Sequence, residues 1–264
     1  PRHAPREPDM TTLRSEFEHA SRIAEVPALV APAASITYGE LAGEVRALAV
    51  ALRSRGIGPD TIVALTARSE VDHLLAALAL LELGAPQVAL ASHDPPAMRL
   101  RLARRVGATL VLADRPDDAV AGIDRIDLGA ALASSRANPR GDAEPGFDAS
   151  IPALYLTGSG TTGEPKVIRF SQHDLARHAD NHVNFAGERV LRPAHVEYNN
   201  SKRMRLYTLW QGGTCVFADG TAESLHGQCA RHRVTWLELS PLHGADLLAA
   251  SRVEGMLPAY TAVR

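Results

Sequence analysis

Apolar residues in the first half of the chain recur with two alternating periods, and that alternation most constrains the fold. Leu41, Val45, Leu48, Ala49 and Leu52 fall at i, i+4, i+7, i+8 and i+11, which predicts an amphipathic helix from Glu40 to Arg55 ending at Gly56. Thr61 to Leu65 follows as a short apolar run of the kind a strand buried on both faces shows. The pair then repeats: a helix from about Ser69 to Leu83, a strand near Gln87 to Leu90, a helix from Pro96 to Val106 and a strand at Thr109 to Leu112. Such alternation predicts an α/β protein with mainly parallel sheets flanked by helices.

From Ala113 to Ser150 the periodicity fades and Pro116, Asp117, Asp118, Asn138, Pro139, Gly141 and Pro145 accumulate, interrupted only near Ile126 and Leu128. This stretch predicts a connection between two α/β subdomains, residues 12–145 and 146–264, after a leader over 1–11 too rich in proline and charge to order. Beyond it, Ser171 with Asp174 forms a capping pair for a helix over roughly Gln172 to Ala186. A strand at Thr214 to Phe217, a helix at Ala222 to Arg231, a strand at Val234 to Leu239 and a helix at Leu242 to Ala250 complete the pattern. With 264 residues and 45% apolar content, the chain can bury two such cores.

Between apolar strands at Ala153 to Leu156 and Val167 to Phe170 lies Ser159-Gly160-Thr161-Thr162-Gly163-Glu164-Pro165-Lys166. Gly160 and Gly163 let backbone N–H groups turn toward a polyphosphate, the three hydroxyls add donors, and Lys166 adds a point charge. A Walker-type loop needs its lysine directly after the last glycine and then Ser or Thr, opening a helix. Here Pro165 fixes φ and removes a donor before Lys166, and Val167 follows, so an ordinary NTPase is disfavoured.

Extended back through Tyr155-Leu156-Thr157-Gly158, the segment resembles the signature of the AMP-binding, adenylate-forming superfamily of acyl-CoA synthetases, peptide-synthetase adenylation domains and luciferases. Gly158 stands where members carry Thr or Ser, and Val167 where many carry Gly. Ile36-Thr37-Tyr38-Gly39-Glu40-Leu41, Leu80-Leu81-Glu82-Leu83-Gly84-Ala85-Pro86, Ser171-Gln172-His173-Asp174-Leu175 and Trp210-Gln211-Gly212-Gly213-Thr214-Cys215-Val216 resemble further family landmarks, so the similarity runs from about Thr37 onward. Gly84 is also where a left-handed residue would close a helix on physical grounds.

The resemblance implies two flavodoxin-like subdomains and an enzyme that joins a carboxylic acid to AMP from ATP, releasing pyrophosphate. It assigns Ser159, Gly160, Thr161, Thr162, Gly163 and Lys166 to the β- and γ-phosphates, Lys166 as the catalytic charge and Thr162 to the magnesium ion. The adenylate would then pass to coenzyme A, as in an acyl-CoA synthetase, or to a carrier-protein thiol, as in a peptide-synthetase adenylation domain. A non-catalytic nucleotide-binding module is the alternative of another class. The family's adenine-binding Gly-Tyr-Gly-x-Thr-Glu motif, ribose aspartate, hinge and C-terminal lysine do not occur in these residues. The expectation is therefore an incomplete, N-terminal adenylate-forming domain with little activity of its own.

Other features are read more plainly. A net charge of −2 gives no general attraction to nucleic acid or anionic membrane. Two cysteines, Cys215 and Cys229, are too few for a disulfide framework, and no apolar stretch suits a membrane span or signal peptide, so a cytoplasmic setting is expected. His178 and His182 sit at i, i+4 with Asp174 a turn earlier, a spacing open to a metal but better read as chance in a chain with 11 histidines. The basic runs Arg99 to Arg105 and Ser201 to Arg205 read as solvated helix faces, with a lesser reading as anchors for coenzyme A or carrier-arm phosphates. Glu197-Tyr198-Asn199-Asn200 departs from the Pro-Leu-x-His type segment with which many family members line the acyl pocket, and so leaves the acid unidentified.

Overall fold

A computed structural model describes residues 23–32, 34–138, 150–158, 166–218, 225–254 and 262–263. Its strands form two six-stranded sheets. One contains β1 (Pro27–Ala31), β2 (Ala34–Thr37) and four strands from late in the chain; the other contains β3 (Val63–Thr66), β4 (Gln87–Ala89), β5 (Leu110–Ala113), β6 (Asp124–Asp127), β7 (Pro152–Gly158) and β8 (Lys166–Ser171). The late strands are β9 (Arg189–Leu191), β10 (Thr214–Val216), β11 (Trp236–Leu237) and β12 (Ala262–Val263). The orders are β12-β11-β9-β10-β1-β2 and β6-β5-β3-β4-β7-β8. Every pairing is parallel except β1 with β2 and β7 with β8, each at a sheet edge. The mainly parallel α/β class expected from the alternation is the class observed.

The helices are α1 (Tyr38–Arg53), α2 (Glu70–Glu82), α3 (Pro96–Val106), α4 (Leu128–Ala137), α5 (Gln172–Asp180), α6 (Asn199–Trp210), α7 (Leu225–Arg231) and α8 (Pro241–Glu254). Successive strand residues face opposite ways, so each buried strand feeds two helical layers. Leu65 and Leu112 of one sheet and Leu29 and Cys215 of the other join side chains of α1, α2, α4, α5 and α6 in one continuous cluster. Their neighbours Ala64 and Val111 face α3 instead, and Val30 and Val216 face Cys229 of α7 and Leu247 of α8. The result is five layers, helix on sheet on helix on sheet on helix.

The central layer depends on α2. Every residue from His73 to Glu82 is buried, as a helix that is apolar all round requires. Ser69 caps its start by accepting from the Asp72 N–H at 3.2 Å. Its end is a Schellman turn, in which the N–H groups of Gly84 and Ala85 donate to Leu81 and Leu80 carbonyls and Gly84 takes φ 66°.

The structure departs from expectation in several places. The stretch read as a connection at 113–150 carries β6 and α4 up to residue 137. At the sheet edge, β6 tolerates Asp124, Arg125 and Asp127, and Asp127 then caps α4 by accepting from the Ala130 N–H at 2.8 Å. The division at 145/146 does not follow sheet membership: β7 and β8, expected with the later half, pair onto β4, while β1 and β2 pair into the sheet of β9 to β12. Strands β1, β2 and β9 and helix α6 had no clear periodic signal. Helix α5 stops at Asp180 rather than Ala186, because the Asn181 side chain donates to the Arg177 carbonyl at 2.7 Å and turns the chain.

Tyr38, at the start of α1, ties that helix to the turn between α6 and β10. Its buried hydroxyl lies 2.7 Å from the Gly213 carbonyl and 3.0 Å from that of Leu209, and burial raises its pKa far above the ordinary tyrosine value. Gly213 itself has no room for a side chain, since a Cβ there would sit 2.5 Å from the Phe185 carbonyl oxygen and 2.9 Å from Thr208 Cγ2. Gly213→Ala should therefore destabilise the protein by about 1–3 kcal/mol or more, read as a lowered urea midpoint; an unchanged midpoint would contradict this account of the turn.

Candidate active site

The predicted phosphate cradle is rooted on β7 and β8. Residues Ser159, Gly160, Thr161, Thr162, Gly163, Glu164 and Pro165 lie outside the described residues, but the strands on either side are described and pair antiparallel, with Gly158 opposite Lys166. Lys166 opens β8 with an exposed side chain. Two residues before the loop, Thr157 receives a hydrogen bond from Asn199, the first residue of α6. The Asn199 Nδ2 donates to Thr157 Oγ1 at 2.9 Å and also to the Thr157 carbonyl. This bond holds the N-terminus of α6, with its partial positive charge, against the root of the loop. Sequence reasoning missed Asn199, because a lone asparagine in an unmatched segment carries no motif.

A pocket of about 130 Å³ opens beside the same helix. Phe185, Met204 and Trp236 give it apolar walls, and Asn200, Arg203 and Glu238 give it polar ones. Its position follows from topology. From β9 the chain runs through α6 on the inner face to β10 on one side; from β11 it runs through α8 on the outer face to β12 on the other. The strand order therefore reverses between β9 and β11, and crevices for ligands form at the carboxyl ends of strands at such a point. Arg192, just past β9, bridges it by donating from Nε to Glu238 Oε2, just past β11, at 2.6 Å.

Where the two sheets' loops meet above α2, the contacts are polar. Glu70 accepts from the Val196 N–H at 2.8 Å and from Arg205 Nη2 at 3.0 Å. Glu197 accepts from the N–H and hydroxyl of Ser92, both at 3.0 Å, with His195 at 3.5 Å. Lys202 points into this seam with its ammonium buried and unpartnered, and both ring nitrogens of His73 are likewise buried without a partner. Burial pushes Lys202 down to about 7 against the pull of Glu197. Burial and then the charge of Lys202 hold His73 well below the ordinary imidazole value.

These contacts correct the reading of the basic runs as solvated faces. Ser201, Lys202 and Arg205 are buried, because Arg205 finds Glu70 and the carbonyls of Arg192 and Ala194 as acceptors. In the earlier run Arg101, Arg104 and Arg105 are exposed, but Arg99 is buried against Asp118, with Nη1 at 3.2 Å from Oδ1. His178 packs edge-on against Phe170 and His182 stacks on Phe185, while Asp174 serves the cap of α5 with Ser171. Among the described residues no three His, Cys, Asp or Glu side chains converge on a metal position.

The sequence profile of the AMP-binding enzyme family matches residues 17–262, and the chain belongs to that family. Isonitrile lipopeptide synthase of Streptomyces coeruleorubidus is 29% identical over 257 residues, covering 92% of this chain and 17% of that protein. A 4-chlorobenzoate–CoA ligase of an Arthrobacter species is 32% identical over 143 residues, covering 50% of this chain and 27% of the ligase. The N-terminal subdomain of Klebsiella oxytoca NpsA, solved with 3-hydroxybenzoyl-AMSN, superposes with a TM-score of 0.76 at 26% identity, covering 86% of this chain and 59% of that one. These matches thus span less than a third of either curated relative. The adenylate-forming resemblance read from the motifs and the fold it implied both hold.

Lys202 makes stability depend on pH. Its ordinary value is 10.5 and its folded value about 7, so between these the unfolded chain binds a proton that the folded chain releases, and stability rises with pH. His73, lowered in the folded state, acts in the same direction below 6.5. Cys215, Tyr38 and Tyr207 are raised by burial and oppose the trend only above about 9. The urea midpoint should therefore be higher at pH 8.5 than at pH 7, and Lys202→Met should remove most of that rise; a rise that survives the substitution would place its origin elsewhere.

Proposed function

We propose that this chain forms the phosphate-holding and acid-holding part of an ATP-dependent, AMP-forming carboxylate ligase. The observation that carries the reading is the bond from Asn199 to Thr157, which joins the root of the loop to the helix lining the pocket, in a chain whose family profile covers residues 17–262. The carboxylate of the acid attacks the α-phosphorus of ATP and pyrophosphate departs, so negative charge grows on the leaving group. Backbone N–H groups of Gly160 and Gly163, the hydroxyls of Ser159, Thr161 and Thr162, and the Lys166 ammonium would meet that charge on the β- and γ-phosphates. The N-terminus of α6 adds a fixed field of the same sign. Magnesium, arriving with the nucleotide, would neutralise phosphate charge with Thr162 as its protein ligand.

The pocket's size suits a compact acid, since a cavity of about 150 Å³ holds benzene. NpsA was solved with 3-hydroxybenzoyl-AMSN and with anthranilyl-AMSN, and the Arthrobacter relative is a 4-chlorobenzoate–CoA ligase; we propose a small acid of that size for this chain. The acceptor is coenzyme A or a carrier-protein thiol, relatives of both kinds being similar to it. Cys215 and Cys229, both buried and outside any disulfide, suit a reducing cytoplasm.

The test is ATP–pyrophosphate exchange by the natural protein containing this chain, across a panel of small acids. Exchange dependent on one of them is expected; bound ATP without exchange for any acid would instead make this a nucleotide-binding module. Lys166→Ala should slow exchange about 10–100-fold, the effect of losing one charge-assisted bond, while melting stays unchanged because the side chain is exposed. A variant that unfolds would overturn the role assigned to Lys166.

A further inference from the structure

We infer that Arg203 makes the pocket select acids that carry a second anionic group, at the end remote from the carboxyl that reacts. The inference rests on the pocket being the acid site. Arg203 is a cation with only neutral partners among the described residues. Its Nη2 donates to Asn200 Oδ1 at 3.4 Å, and the rings of Phe170 and Tyr207 each lie 5.8 Å from the guanidinium carbon. Its Nε is buried and meets no carboxylate or carbonyl, and the polar group of Tyr207 beside it is a neutral phenol.

The other charge in the wall does not neutralise it. Glu238 gives Oε2 to Arg192 at 2.6 Å and leaves Oε1 to the Asn200 amide at 3.4 Å. Arg192 is itself 3% exposed, so that pair is closed before any ligand arrives. His182, the remaining titratable group in the lining, stacks on Phe185 with centroids 5.7 Å apart. The pocket therefore carries a surplus positive charge on a planar fork, set near the rings of Phe170 and Tyr207. Such a fork matches a carboxylate through two parallel bonds, and a wall cation with no counter-charge of its own favours an anionic ligand over a neutral one.

Geometry separates this charge from the reacting end. Arg203 lies one helical turn, about 6 Å, beyond Asn199, which holds the root of the loop. It also lies over Phe170, four residues and thus about 13 Å along β8 from Lys166. An acid with one carboxyl toward the loop reaches Arg203 with its far end. That end is where a second carboxylate, on an aliphatic chain or on a ring, would be bound.

Binding can be read from the fluorescence of Trp236, which lines the pocket, in the 264-residue chain carrying Trp210→Phe. Isophthalate should bind about tenfold or more tightly than benzoate if the frame is aromatic, or glutarate than butyrate if it is aliphatic, the ratio one charge-assisted bond supplies. Arg203→Gln should bring the members of each pair within about twofold of one another, and Arg203→Glu should reverse the preference toward 3-(aminomethyl)benzoate, with circular dichroism reporting the fold of each variant. Equal binding within both pairs by the unsubstituted pocket, or a preference that survives Arg203→Gln, overturns the inference. Silence toward every acid while ATP still protects the chain from thermal unfolding overturns it together with the assignment of the pocket. Silence toward acids and ATP alike in a folded chain removes the ligase reading as well.

Discussion

A helix with no solvent face needs partners on every side, and α2 imposes that demand on the whole molecule. From His73 to Leu81 almost nothing reaches water, so a single sheet with one helical layer could not satisfy the sequence. The second sheet, with α1, α4, α5 and α6, closes the remaining sides. Burial of this kind makes stability and site geometry inseparable. The loop that would meet phosphate springs from one sheet, the pocket lies at the reversal of the other, and α2 sits in the core they share.

Polar chemistry fixes how the two sheets meet. Apolar packing is indifferent to direction, whereas the bonds from Arg205 and Val196 to Glu70 and from Ser92 to Glu197 have one acceptable arrangement. Lys202 and His73 show what that specificity costs, since each keeps a buried donor or acceptor without a partner. Helix α6 joins this seam to the candidate site, with Asn199 on the loop root, Arg203 in the pocket, and Lys202 and Arg205 in the seam. Its sequence reads as polar and basic, yet most of it is interior.

That contrast explains what was legible in the sequence. Alternating periods gave the class of fold and the helices of the first half because those helices bury apolar stripes, and the family was legible because glycine, hydroxyl and lysine in eight residues have few other uses. Helix α6 was not, because its burial is compensated by Glu70, by carbonyls and by aromatic rings distant in sequence, and periodicity registers only apolar burial. The edge strand β6 was hidden for the opposite reason, as a strand paired on one side can be written in Asp and Arg. Asn199 was invisible because its meaning lies in a bond to a residue 42 positions away.

The contacts of Tyr38 with the turn at Gly213 span 175 residues, and β1 beside it pairs with β10. During synthesis at roughly 5–20 residues per second, β1 and β2 leave the ribosome on the order of ten seconds or more before their sheet has any other strand to receive them. The strands from β3 to β8 meet no such delay, because each finds its neighbours within the same stretch of chain. Assembly is thus ordered in time: one sheet can close early, while an apolar strand pair from the start of the chain is kept waiting as an exposed edge that chaperones or self-association would compete to cover.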